Sequence, residues 1–317
     1  MSAREPQEMA QVAAEAGAKK THRTWDRVLV SAFLAGAYIS FGALVAITVS
    51  SGLDPGTWGT LPTLFMGAAF TLGLVLVLIA GSDLATGNMM LVPLSAMRGK
   101  IGIADVAKNL TLVLVGNLIG ALFVAYFLAV QTGVIGHSGA SGNAGLTYER
   151  LAAIAGAKAT GESHWQVFLR GVGCNWLVCL AVWMSLAAKS VSGKILAIFF
   201  PIMAFVAMGF DHVIANMFFI PPANSQFSRA SPQPMSGTPA QMAAGMKNMF
   251  AITWSKPMAT NAMIGKKIAR ILPLTDLAAS DIHTARHTSQ LQPIPRRKTC
   301  QCVSPVALAP AIAASRS

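Results

Sequence analysis

Charge is what this sequence has least of. Asp, Glu, Lys and Arg together make up 11% of its 317 residues, under half of the roughly 25% usual in a soluble domain. Acids are scarcer than bases, 12 against 24. Cysteine is scarce too. Cys174 and Cys179 lie in an apolar run and are expected to pack there. Cys300 and Cys302 form a lone Cys-x-Cys, and no second Cys/His pair stands at ligand spacing, so neither a metal nor a cofactor is expected. A nucleophile–base constellation and a phosphate loop are also missing, so the chain does not read as an enzyme. The first 26 residues carry four acids and no apolar core of the needed length, so no cleavable signal peptide is expected.

Apolar sequence is what there is instead. The chain is 54% hydrophobic, with a mean hydropathy of +0.55, which points to an all-α integral membrane protein. Five runs are long enough for a hydrocarbon core of ~30 Å: residues 28–53, 55–82, 109–136, 171–188 and 195–221. Each is too long for a barrel strand of about 10 residues, so each is expected to be helical. Lys and Arg cluster before the first run, after the second and after the fourth. By the positive-inside rule this places the N-terminus in the cytoplasm and the 3–4 connection outside, in what is expected to be the cell membrane. The organisation expected is a cytoplasmic N-terminal segment 1–27, a transmembrane channel domain 28–222 with five visible spans, and an atypical tail 223–317. MAQVAAEAGAKK, at 9–20, fits either a short amphipathic helix at the membrane face or a solvated tail.

Two polar islands interrupt the apolar runs. GSDLATGNM at 81–89 and GFDHVIANM at 209–217 share the frame Gly-x-Asp-x-x-x-x-Asn-Met. An ionisable side chain at membrane depth is expensive unless it faces a cavity or a partner. Gly81, Gly87 and Gly209 allow a helix to end or unwind. Asn88 and Asn216 can cap the next helical piece, and Pro93 and Pro201 favour a break. The frame is therefore Gly81, Asp83, Asn88 in one copy and Gly209, Asp211, Asn216 in the other. Paired broken spans in the second and fifth positions suggest an inverted repeat with its pathway between the halves. Asp211 and His212 are then expected to line or flank that pathway. Gly116 and Gly120 form a Gly-x-x-x-Gly in the third run, suited to close helix approach within the subunit or between subunits.

GSDLATGN, GNLIGALF at 116–123, CNWLVCLAVW at 174–183 and GFDHVIANMFFIP at 209–221 resemble the signature stretches of the formate–nitrite transporters, over about residues 10–221. Where the family most often has Glu, this chain has Asp211. The resemblance implies an aquaporin-like inverted-repeat fold of six spans, a homopentamer in the lipid bilayer, and one pore per subunit for small monovalent weak-acid anions. It further implies that His212 is the central pore histidine, faced by Thr86, with Asn175 nearby. Phe70, Leu74, Leu84 and Phe205 match apolar pore constrictions. Lys158 resembles the lysine of the outer vestibule, with its spacing to CNW off by about one residue.

One part of the family pattern is not recognisable: a sixth span. Residues 223–317 hold eleven of the 24 basic residues and two acids, Asp276 and Asp281. They are expected to be largely irregular and to lack a well-packed spanning helix. A basic tail suits anionic lipid or nucleic acid, but a solvated tail is the plainer reading, and no nucleic-acid partner is expected. The functional expectation is transport of formate, nitrite or a similar anion, with a proton exchanged at His212. The alternatives are a transport-impaired remnant lacking its sixth span, or an aquaporin-like pore for neutral solutes.

Overall fold

The computed structural model of the chain describes residues 3–160 and 162–230, and every regular element among them is helical. The 223–317 tail, with Cys300, Cys302 and any sixth span, lies outside the described residues except for 223–230, which continue the last helix.

Helix α1, Pro6–Thr21, opens on a proline in its first turn and carries Glu8 there, with Lys19 and Lys20 in its last turn. That charge order suits the helix dipole. Its buried face, Ala13, Ala14 and Gly17, lies on a later helix, α5 (Ala85–Met97). The Gly17 position faces the Leu91 carbonyl so closely that any Cβ would collide with it. Ser95 Oγ on α5 donates to the Ala14 carbonyl at 2.5 Å. The N-terminal segment is therefore a docked helix, not a solvated tail.

Helix α2, Trp25–Ser50, is the central post, packing along both α4, Leu61–Ala80, and α6, Ile103–Phe123. The expected second run at 55–82 is shorter in fact. Asp54 accepts from the amides of Gly56 and Thr57 and starts a single turn, α3 (Pro55–Trp58), before α4 begins at Leu61. Helix α6 continues as a π-helical stretch, Val124–Val130. Its Gly116 and Gly120 face α2: a Cβ on Gly120 would strike the Phe33 carbonyl, and one on Gly116 the Ala32 side chain. The glycine pair thus serves packing inside the subunit.

Helix α7, Gly142–Thr160, stands where the apolar pattern predicts only a long connection. Its buried Tyr148, Leu151 and Ala155 fall at helical spacing in a segment too polar to register as a span. A capping box of Ser163 and Gln166 starts α8, His164–Ala187. Helix α9, Val191–Ala207, packs against α4 and α8, and α10 is Val213–Ala230. Together α2, α4, α8 and the continuous α6 stretch are long and apolar enough to cross a membrane, whereas the run expected at 195–221 is divided into the shorter α9 and α10.

Candidate functional site

The chain leaves helical form between α4 and α5. Gly81, at φ 74°, ends α4 in the left-handed region, which glycine enters without strain. Ser82, Asp83 and Leu84 are non-helical and buried, so their freed backbone groups need partners. Asn117, fully buried on α6, supplies them. Its Nδ2 donates to the Asp83 carbonyl at 2.9 Å and to the Ala32 carbonyl at 2.7 Å, and its Oδ1 accepts from the Ala85 amide at 2.9 Å. The Asp83 carboxylate has no exposed surface. Lys20 bonds its Oδ1, and Arg23 donates to its Oδ2 at 2.9 Å. Both cations come from the end of α1 and the turn after it.

A second interruption lies between α9 and α10. Gly209 sits at φ 72°, and residues 208–212 carry the chain to His212. The imidazole caps α10, its Nδ1 accepting from the Ala215 amide at 3.2 Å. A backbone N–H can only donate, so Nδ1 presents its lone pair and the ring hydrogen of the neutral imidazole sits on Nε2. Nε2 lies 3.3 Å from the Thr86 hydroxyl at the start of α5. The two interruptions therefore meet at one contact. The Phe205 ring lies nearly parallel to the imidazole at 5.8 Å between centroids, and Phe70 stands edge-on at 6.3 Å. Phe70 and Phe205 touch each other edge to face at 5.8 Å.

These groups border a cavity of about 50 Å³ lined by Met66, Phe70, Lys158, Phe205, Gly209, His212 and Asn216, among others. One water needs about 10–15 Å³ on this measure, so the space suits a few waters or a small anion. At one end Lys158, on α7, forms an ion pair with Asp211 Oδ1, and Asn216 Nδ2 donates to the same oxygen at 3.2 Å. Glu162, just before α8, lies within hydrogen-bonding reach of Asp211 and forms an ion pair with Arg170. Burial, and then the neighbouring Asp211, push the Glu162 carboxyl above the usual carboxylate range.

The structure thus gathers His212, Thr86, Phe70, Phe205, Lys158, Asp211 and Asn216. Leu74 and Leu84 are buried, at 2% exposure each, but do not border the cavity. Asn175 Nδ2 reaches Cys179 Sγ at 3.7 Å and Met89 Sδ at 4.0 Å, and its Oδ1 is buried with no hydrogen-bond partner. One expectation needs correction: Asn88 and Asn216 do not cap helices. They lie within the first turns of α5 and α10, where Asn88 Nδ2 donates to Asn109 Oδ1 at 3.0 Å and Asn216 serves Asp211; the cap of α10 is His212 itself. Asn117, Lys20, Arg23 and Glu162 escaped the sequence reading. Asn117 alone left a sign, a polar residue in the apolar run GNLIGALF.

The family model for the formate/nitrite transporters matches residues 7–265. The chain belongs to the formate/nitrite transporter family. Its match extends past residue 222, into the segment where no sixth span is recognisable by apolar length. Among curated proteins of this family, the chain is 47% identical over 223 residues to the uncharacterised transporter YrhG of Bacillus subtilis, covering 70% of this chain and 80% of that one. It is 40% identical over 224 residues to the formate channel BtFdhC of Bacillus thuringiensis, covering 69% and 81%. A solved ion channel of the family superposes with a TM-score of 0.68 at 28% identity, covering 84% of this chain and all of that one. A pentameric formate channel with formate bound superposes at 0.59 and 27% identity, covering 77% and 93%. This formate/nitrite transporter family member is accordingly an integral membrane protein.

Proposed function

We propose that the chain carries small monovalent weak-acid anions, formate or nitrite among them, through a pathway within each subunit of a homopentamer in the cell membrane, with its N-terminus in the cytoplasm. The observation that carries this reading is the His212–Thr86 contact. It lies beside the touching rings of Phe70 and Phe205, at a cavity that Lys158 also lines. The shared Gly-x-Asp frame and the ion-paired aspartate in each copy support an inverted repeat.

Lys158 raises the local concentration of anion at the outer mouth. Past it, the rings of Phe70 and Phe205 offer no charge stabilisation. Moving a bare anion there costs many times what moving a neutral acid does, because the acid has only a dipole to desolvate. The solute therefore crosses most readily as its acid, having taken a proton near the mouth. His212 presents Nε2–H, shared with Thr86 at a loose 3.3 Å, and a passing oxygen can accept that hydrogen in place of the Thr86 hydroxyl. A ring that also took a proton on Nδ1 would set N–H against the Ala215 N–H and lose the cap of α10. This narrows the role of His212 from proton exchange to hydrogen-bond donation. Leu74 and Leu84 serve as further apolar walls, and Asn175 has an unused carbonyl oxygen for a solute.

Vesicles reconstituted with the full chain test the reading. Formate or nitrite should enter faster than into protein-free vesicles and faster in acid. Entry of glycerol at a comparable rate, with no response to anion or pH, would point instead to a pore for neutral solutes.

A further inference from the structure

We propose that Glu162 shares a proton with Asp211 at the outer mouth and so sets the net charge that an arriving anion meets. The functional half of this inference rests on the transport reading above. Each of the two acids commits one oxygen to a cation: Asp211 Oδ1 to Lys158 and Glu162 Oε1 to Arg170. The remaining oxygens, Asp211 Oδ2 and Glu162 Oε2, are both buried and have no hydrogen-bond partner. The Glu162 side chain is only 6% exposed and lies within hydrogen-bonding reach of Asp211.

Two ionised carboxylates in a shared site repel, and one of them takes a proton. That proton turns an acceptor into a donor and gives the orphaned oxygens a bond. Glu162 is the acid that holds it. Asp211 has the Lys158 ammonium and the Asn216 amide on its Oδ1, whereas Glu162 has a single ion pair and stands against Asp211. The other charged and titratable groups nearby do not replace it. Arg150 on α7 turns to Met66 Sδ at 3.9 Å, His164 at the start of α8 is exposed, and Cys174 on α8 is a buried thiol. With Glu162 protonated, Lys158 and Arg170 outweigh Asp211 by one charge. With it ionised, the four charges cancel. The mouth is therefore positive in acid, when the substrate's proton is also available, and neutral in base.

The test compares wild type, Glu162→Gln and Glu162→Asp in vesicles, measuring KM and kcat for nitrite from roughly pH 5 to pH 8. The substrate's own titration is common to all three and cancels in the ratios. In wild type KM should rise with pH more than in Glu162→Gln, whose KM at the alkaline end should be about three- to ten-fold lower, as expected for one unit charge in a wet mouth. Glu162→Asp should keep the wild-type slope. A second measurement does not need transport. Infrared spectra of the wild type at the acid end of that range should show a protonated carboxyl C=O band that Glu162→Gln lacks. The same KM profile in wild type and Glu162→Gln, or no such band, overturns the inference. Wild-type vesicles that take up no anion overturn the transport reading instead, and the band then decides the shared proton alone.

Discussion

Replacing Asn117 by leucine tests what holds the first interruption in place. Leucine has the branching and heavy-atom count of asparagine and suits the apolar surroundings, so the change chiefly removes hydrogen bonds. Three are lost: to the Ala32 carbonyl, to the Asp83 carbonyl and from the Ala85 amide. Ala32 lies within α2 and keeps its helical partner. The Asp83 carbonyl and Ala85 amide do not, because both belong to the non-helical entry of α5. Hydrogen bonds between membrane helices average about 0.6 kcal/mol when the groups can find other partners. A buried backbone group left unpaired costs about 1–3 kcal/mol, so two cost roughly 2–6 kcal/mol. At about 2–4 °C per kcal/mol for a domain of this size, the detergent-solubilised protein should melt roughly 4–24 °C lower. Ile119→Val, on the exposed side of the same helix, is the control. Melting of Asn117→Leu together with that control would refute the reasoning.

Three further outcomes follow from particular contacts. Asp83→Asn removes the only carboxylate that pairs Lys20 and Arg23 among the described residues. It should destabilise the protein by about 2–4 kcal/mol, less than for a fully buried pair because Arg23 is one-third exposed, and should speed proteolysis of α1; unchanged protection of α1 would contradict the clamp. Gly120→Val drives a side chain into the Phe33 carbonyl and should lower the yield of folded protein, read by gel filtration, far more than Val115→Ala, whose side chain is exposed. Glu162 has a folded-state carboxyl raised above its ordinary value, so the native state holds its proton more tightly than the unfolded chain. Its contribution to stability is present in acid and lost as pH rises through the raised value. Melting temperature should fall over that window in wild type and fall less in Glu162→Gln; identical slopes would contradict it.

The sequence carried the fold as far as local pattern reaches. The apolar runs and the two Gly-x-Asp frames could be read, because each depends on composition or on a motif repeated in place; the pairing of His212 with Thr86 was implied only by the family resemblance. What escaped depends on partners far apart in the chain. Lys20 and Arg23 read only as cytoplasmic charge, since nothing near them signals an aspartate 60 residues on. Glu162 lies in a polar connection where one more acid is unremarked, and its neighbour Asp211 is 49 positions away. Asn175 was expected near His212 only through the family resemblance, and its contact along α8 with Cys179 had no sign in the sequence. The assignment of capping to Asn88 and Asn216 failed for a different reason. Each helix starts three residues before its asparagine, and in the second copy the histidine already fills the cap position.

The central claim is that a solute passes His212 while the neutral ring donates one hydrogen bond and keeps α10 capped. Formate entry into vesicles, measured for wild type, His212→Asn and His212→Ala at one acidic pH, tests it most directly. Asparagine can cap the helix and offer an N–H donor; alanine can do neither. The account predicts that His212→Asn folds and retains a substantial part of the wild-type rate, whereas His212→Ala loses most of it and is less stable by about 1 kcal/mol. Loss of transport in a well-folded His212→Asn, equal to that in His212→Ala, would contradict it and return the proton itself to the histidine.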